Sequence, residues 1–115
     1  ISSYKLAVTL IESGKPDEAL FHWEQAVKFN PKYTDAYFNL GATYYDLGKY
    51  QKSLDNYRSA DRLTPNDDKI TYGIAANQYA LGEYTLSLES CKIALKINPK
   101  NEDAKALLEM LRGKK

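Results

Sequence analysis

The side chains that could do chemistry are few, and they are badly spaced for it. The chain holds one histidine, His22, and one cysteine, Cys91. An imidazole or thiolate metal site needs a second such ligand within reach, and the sequence has none to offer. His22 stands beside Trp23 and reads as a surface histidine. Cys91 can form no intramolecular disulfide, and at its position it reads as a small buried apolar group rather than a reactive thiol. Asp55, Asp61, Asp67 and Asp68 spread over helix faces and caps instead of converging, so they read as solvated charges. Each glycine in the repeat turns stands alone, which suits helix termination and not a phosphate-cradling loop. No catalytic residue, metal site or cofactor is expected. What the chain carries in quantity is tyrosine, ten in all. Aromatic side chains give large contact area with little flexibility to lose, the property of a binding surface.

Composition narrows the partners. Hydrophobic residues make up 43% of the 115, enough to bury a core. Sixteen basic residues against fifteen acidic leave a net charge of +1. Such a balance exerts no long-range pull on nucleic acid or an anionic membrane. No apolar run is long enough to cross a bilayer, and the compartment is not encoded here.

The elements that must position these residues follow from periodicity and punctuation. Tyr4, Leu6, Ala7, Val8, Leu10 and Ile11 suit a first helix buried on more than one side. Ser13-Gly14-Lys15-Pro16 ends it and opens a second, with Ala19, Leu20, Trp23, Ala26 and Val27 on its apolar stripe. Pro31 stops that helix. A third, capped by Thr34 or Asp35, runs to about Leu47. After Gly48 a fourth spans Tyr50 to Leu63, with Leu54, Tyr57, Ala60 and Leu63 facing inward. Asp67 caps a fifth helix, Asp68 to Leu81, and after Gly82 a sixth spans Tyr84 to Ile97. A seventh, from about Asn101 to Leu111, carries Ala104, Leu107, Leu108 and Leu111. No stretch has the alternation of a strand.

Landmarks recur every 34 residues: Gly14, Gly48 and Gly82; Leu20, Leu54 and Leu88; Ala26, Ala60 and Ala94; Pro31, Pro65 and Pro99. An internal repeat of that period means stacked helical hairpins. One hairpin cannot cover its own apolar face, so neighbours must stack. Small residues belong where backbones approach closely (Ala7, Gly41 and Ala75). Larger ones fill the gaps between units (Trp23, Tyr57, with Cys91 in register).

With these landmarks the chain resembles a tetratricopeptide repeat (TPR) protein. The family's signature appears in the middle unit as Tyr37, Leu40, Gly41, Tyr44, Gly48, Tyr50, Ser53, Tyr57, Ala60 and Pro65. The third unit keeps Ile74, Ala75, Gly82, Tyr84, Ser87, Cys91, Ala94 and Pro99 but has Thr71 and Gln78 at two signature positions. The first keeps Leu6, Ala7, Gly14, Ala19, Trp23, Ala26 and Pro31, with Ser3 and Leu10 at those two. The resemblance implies an all-α, right-handed α-solenoid of three antiparallel hairpins with a seventh, capping helix. Units are expected at residues 1–33, 34–67 and 68–101, with the capping helix and tail at 102–115. Ser2, Ser3 and Ser13, against Ala36, Tyr37 and Leu47 one repeat later, give the first unit a more polar face. An array that begins near residue 1 is the expectation.

In the family the first helix of each hairpin lines a concave groove. That implies a peptide-binding surface of Tyr4, Val8 and Ile11 from the first unit. Phe38, Asn39, Ala42, Tyr45 and Asp46 come from the second, and Lys69, Tyr72, Ala76 and Tyr79 from the third. The tyrosines could instead pack between neighbouring first helices. Some family members grip a partner's C-terminal carboxylate with a clamp of Lys, Asn, Asn, Lys and Arg. At those positions this chain has Tyr4, Val8, Asn39, Lys69 and Gly73, so two of five match and the bidentate Arg is missing. A chaperone-tail clamp is not expected. The reading is a non-enzymatic module that binds a peptide segment of a partner protein, not nucleic acid and not a membrane. The alternative is a structural scaffold or self-assembly unit, as part of a longer chain or not.

Overall fold

Glycine and proline set the helix ends. The structure, a computed structural model, describes residues 16–113. Six α-helices and no strand occur among the described residues: α1 Pro16–Phe29, α2 Thr34–Asp46, α3 Tyr50–Leu63, α4 Asp68–Ala80, α5 Tyr84–Ile97 and α6 Glu102–Arg112. The helix expected over residues 1–13, the turn at Ser13 to Lys15, and the groove residues Tyr4, Val8 and Ile11 lie outside the described residues. So does the expectation that the array begins near residue 1.

α2 and α4 end in the same way. Gly48 and Gly82 adopt φ of +78° and +81°, and an added Cβ at either would meet nothing within 4 Å. Glycine is needed there for the left-handed backbone and not for space. The amide of Lys49 donates to Tyr44 O at 2.9 Å and that of Gly48 to Tyr45 O at 2.9 Å, with Glu83 and Gly82 repeating the pair. This Schellman arrangement satisfies the last carbonyls and turns the chain back on itself.

The starts differ. Asp67 Oδ1 accepts from the amides of Lys69 and Ile70, and Asn101 Oδ1 from that of Ala104, so α4 and α6 are capped by side chains. The cap expected for α2 is corrected. Tyr33 occupies that position and makes no side-chain cap, and Thr34 is already helical. The Thr34 hydroxyl instead pairs with that of Thr64 at 2.8 Å, which ties the start of α2 to the end of α3.

Each helix packs on the next, from α1 to α6, and the first helices of successive hairpins also meet: α2 touches α4, and α4 touches α6. This is an all-α solenoid, 44 × 25 × 21 Å in extent. Ala19, Leu20, Trp23 and Ala26 of α1 pack with Ala36, Leu40 and Tyr44 of α2. Tyr57 and Ala60 of α3 pack with Ile70 of α4. Ala75, Ala76 and Cys91 are closed off by Leu107 and Leu111 of α6, with Leu88 and Leu108 at the edge. Leu63 departs from the expected inner face: it is 37% exposed at the end of α3.

A polar thread runs through this apolar stack. The Ser53 hydroxyl donates to Gly41 O at 2.6 Å, and Ser87 repeats the bond to Ala75 O at 2.8 Å. Asn77 Nδ2 then donates to Ser53 Oγ at 2.8 Å and to Gly73 O at 3.0 Å. Three helices are joined in this way where side chains are fully buried. The departures of the third unit are also satisfied. Gln78 Oε1 accepts from Ser90 Oγ at 2.7 Å, and Thr71 Oγ1 donates to Asp67 O. Asp68 is not the solvated charge expected of it. Its Oδ2 accepts from Asn98 Nδ2 at 3.1 Å and Asn101 Nδ2 at 2.8 Å, and so holds the turn before α6.

Candidate functional site

The row α2, α4, α6 places one face of each first helix side by side. Tyr45 near the end of α2 is 38% exposed, and Asp46, the last residue of α2, is exposed. Phe38, Asn39 and Ala42 are half-buried along the same helix. On α4, Lys69 is exposed, Tyr72 and Tyr79 are half-buried, and Ala76 is buried. Asn39 Nδ2 donates to Asp35 O at 2.8 Å, one turn back in its own helix, so its amide nitrogen is already engaged. Two rings meet their neighbours by the edge in matching geometry. Tyr45 lies 5.3 Å from Tyr50, and Tyr79 5.3 Å from Tyr84.

Between α2 and α4 lies a shallow depression of about 70 Å³, lined by Tyr45, Tyr57, Tyr72, Gly73 and Ala76. Its floor comes from an unexpected source. Tyr57 belongs to α3, a second helix, and only 6% of it is exposed. Its ring reaches the concave side because glycines flank it. An added Cβ at Gly41 would lie 2.9 Å from its Cδ2, and one at Gly73 2.6 Å from its Cε1. Phe38 meets the same ring edge-on at 5.5 Å. A second depression, about 300 Å³, lies towards the helix starts and is lined by Thr34, Asp35, Phe38, Thr64, Asp67, Lys69 and Ile70.

Burial is the main influence on these phenols. Burial raises the pKa of Tyr57 far above the usual phenol value, with further contributions from Asp46, Tyr72 and Tyr45. Burial also raises Tyr45, with Tyr50 and Asp46 adding to it. Tyr72 is raised by burial, then by Asp103 of α6 and by Tyr45 and Cys91. Cys91 itself is pushed up to about 11 by burial, so it stays a thiol at neutral pH. Asp103 stands close enough to act on Tyr72, so α6 borders this face. Tyr57, expected to fill the gap between units, also lines the depression. The available signal was Gly73, which stands where the preceding unit has Asn39. Among the described residues no cluster of His, Cys, Asp or Glu could hold a metal ion. No helix there is long and apolar enough to cross a membrane.

Three family models account for most of the chain: TPR repeat at residues 9–48, tetratricopeptide repeat at 34–66, and Fis1 C-terminal tetratricopeptide repeat at 69–114. The chain is a tetratricopeptide repeat protein. Solved TPR structures superpose over nearly its full length. The first TPR of Spaghetti (RPAP3) bound to HSP90 peptide SRMEEVD gives a TM-score of 0.93 at 19% identity, over 97% of this chain and 89% of that one. The Arabidopsis OM64 TPR domain gives 0.93 at 18%, over 99% and 94%. The second TPR domain of human RPAP3, in complex with HSP70 peptide SGPTIEEVD, gives 0.91 at 16%, over 96% and 92%. No curated protein matches the chain. At these identities the likeness establishes the TPR fold alone.

Gly73 stands where the resemblance places the clamp's Arg. Any side chain there must displace the buried ring of Tyr57. The missing Arg is therefore not a simple vacancy, because the tyrosine uses the space.

Proposed function

We propose that this TPR array is a protein-interaction module whose concave face, between α2 and α4, receives an extended peptide segment of a partner protein. The observation that carries this reading is the solvent-open, tyrosine-lined depression between two first helices. The peptide-bound neighbours lend it general support, since in both of them a TPR domain of the same fold carries a peptide. Adjacent first helices are separated by about one helix diameter, roughly 10 Å. An extended peptide covers that in about three residues, so Tyr45 and Tyr79 can touch side chains a few positions apart on one ligand.

The test is selection of binders from a displayed peptide library, followed by affinity and melting measurements on Tyr45→Ala and Tyr79→Ala. Truncating a central aromatic anchor costs about 2 kcal/mol, roughly thirtyfold in Kd. Tyr45 is the more exposed of the two, so Tyr45→Ala should lose binding with a near-normal melting curve. Tyr79 packs against the Cys91 cluster, and its removal should lower both. Unchanged affinity in both variants would move the binding face elsewhere.

A further inference from the structure

The groove reading leaves open what kind of side chain the depression takes. Its walls are three phenol rings and two small residues, Gly73 and Ala76. Tyr57 is 6% exposed and lines the depression. Its ring, held between Gly41 and Gly73, forms the floor of the depression. Two carboxylates act on these rings, Asp46 at the end of α2 on Tyr45 and Tyr57, and Asp103 in the first turn of α6 on Tyr72. Among the described residues neither is in an ion pair; the salt bridge found joins Arg112 to Glu109. Lys69, the cation among the groove residues named above, lines the other depression with Asp35 and Asp67. The tyrosine site is therefore aromatic, with two carboxylates acting on its rings and no cation in its lining.

We propose, building on the groove reading, that this depression is the subsite for a cationic side chain, a lysine or arginine of the bound peptide, seated against Tyr45, Tyr57 and Tyr72 and balanced by Asp46 and Asp103. Aromatic faces attract a cation through their quadrupole, and more strongly once water is excluded. An ammonium or guanidinium can also donate to a phenol oxygen of the site, which a neutral apolar side chain cannot do. A glutamate or aspartate would meet two like charges. The preference is thus opposite in sign to the acidic ends of the peptides SRMEEVD and SGPTIEEVD held by the structural neighbours. Gly73 is the permissive residue: without a side chain it leaves Tyr57 open to the groove.

Ring NMR of the full chain carrying ¹³C-labelled tyrosine, titrated with tetramethylammonium chloride at constant ionic strength, reads the site directly. Saturable shifts are expected at Tyr45, Tyr57 and Tyr72, with binding about fivefold tighter than that of tert-butanol, the neutral molecule of similar shape. Acetate should leave these rings unmoved. In the double variant Asp46→Asn, Asp103→Asn the tetramethylammonium affinity should fall about threefold. Both residues are exposed, and a melting curve checks that the variant folds. Equal binding of tert-butanol, undiminished affinity in the double variant, or shifts driven by acetate would each overturn the assignment. If library peptides bind through Tyr45 while tetramethylammonium leaves all three rings unmoved, the cationic subsite fails and the groove stands. If tetramethylammonium binds as expected and no peptide does, the subsite is real and the peptide groove fails.

Discussion

Tyr57 shows how one residue can serve both core and surface. Its ring fills the space between α2 and α4 only because Gly41 and Gly73 have no side chains. Gly73→Ala should therefore destabilise the fold by about 1–3 kcal/mol, the usual cost of overpacking a buried site. Gly82→Ala should cost about 1 kcal/mol through backbone strain alone, since its Cβ meets nothing. Chemical denaturation separates the two causes. In a Tyr57→Leu background the penalty of Gly73→Ala should shrink by 1 kcal/mol or so, whereas that of Gly82→Ala should not change. Equal penalties in both backgrounds would deny the ring its role at Gly73. Asp68 carries the pH dependence at this scale. Partial burial opposes its ionisation, but hydrogen bonds from Asn98 and Asn101 outweigh it and hold the carboxyl below its ordinary range. A folded pKa below the unfolded one gives stability that is full above about pH 4 and lost as pH falls through the folded value. Asp68→Ala should melt below the parent at pH 7, and the gap should narrow by pH 3. A gap of constant size would assign it to packing.

The decisive element is α6. It buries Ala104, Leu107 and Leu111 against α4 and α5, and each buried leucine is worth about 1.5–3 kcal/mol. Whole-protein stability is typically only about 5–15 kcal/mol. Deleting residues 102–115 should expose Ala75, Ala76 and Cys91, with aggregation or a much lower melting temperature as the result. Asn101→Ala is a gentler probe of the same docking. It removes the cap on Ala104 and one of the two bonds to Asp68, and should cost about 1 kcal/mol. A truncated chain that melts with the parent would mean that α6 does not dock. The element also has a second consequence: removing it removes Asp103 from beside Tyr72.

At the scale of the molecule, stacking creates two faces with different prospects. The concave row gathers tyrosines and carboxylates. On α5, Leu86 and Ile93 are 44% and 52% exposed, two turns apart along one side. If the array acts alone as a binding module, sedimentation at rising concentration should report a monomer. Scattering should then give a radius of gyration near the Cα value of 14.3 Å. Ile93→Lys should leave both unchanged. A dimer that Ile93→Lys abolishes would favour the self-assembly reading instead.

How much of this is legible before folding follows from where the causes lie. Helix ends and the repeat depend on local chemistry: Gly48 and Gly82 in the left-handed region, Asp67 on the amides ahead of it, and apolar residues returning every 34 positions. Those signals are carried by neighbours in the chain, so the sequence alone determined the helices from Pro16 onward, their order and the stacked architecture. Other features depend on residues brought together across helices. Thr34 faces Thr64 and so is no cap. Asp68 is taken up by Asn98 and Asn101. Leu63 emerges at a helix end where the stack no longer covers it. The floor of the groove is the clearest case, because Tyr57 can reach it only between two glycines from two other helices. Periodicity assigns a residue to a face of its own helix, but only tertiary packing decides how far its ring extends beyond that face and which charges meet it there.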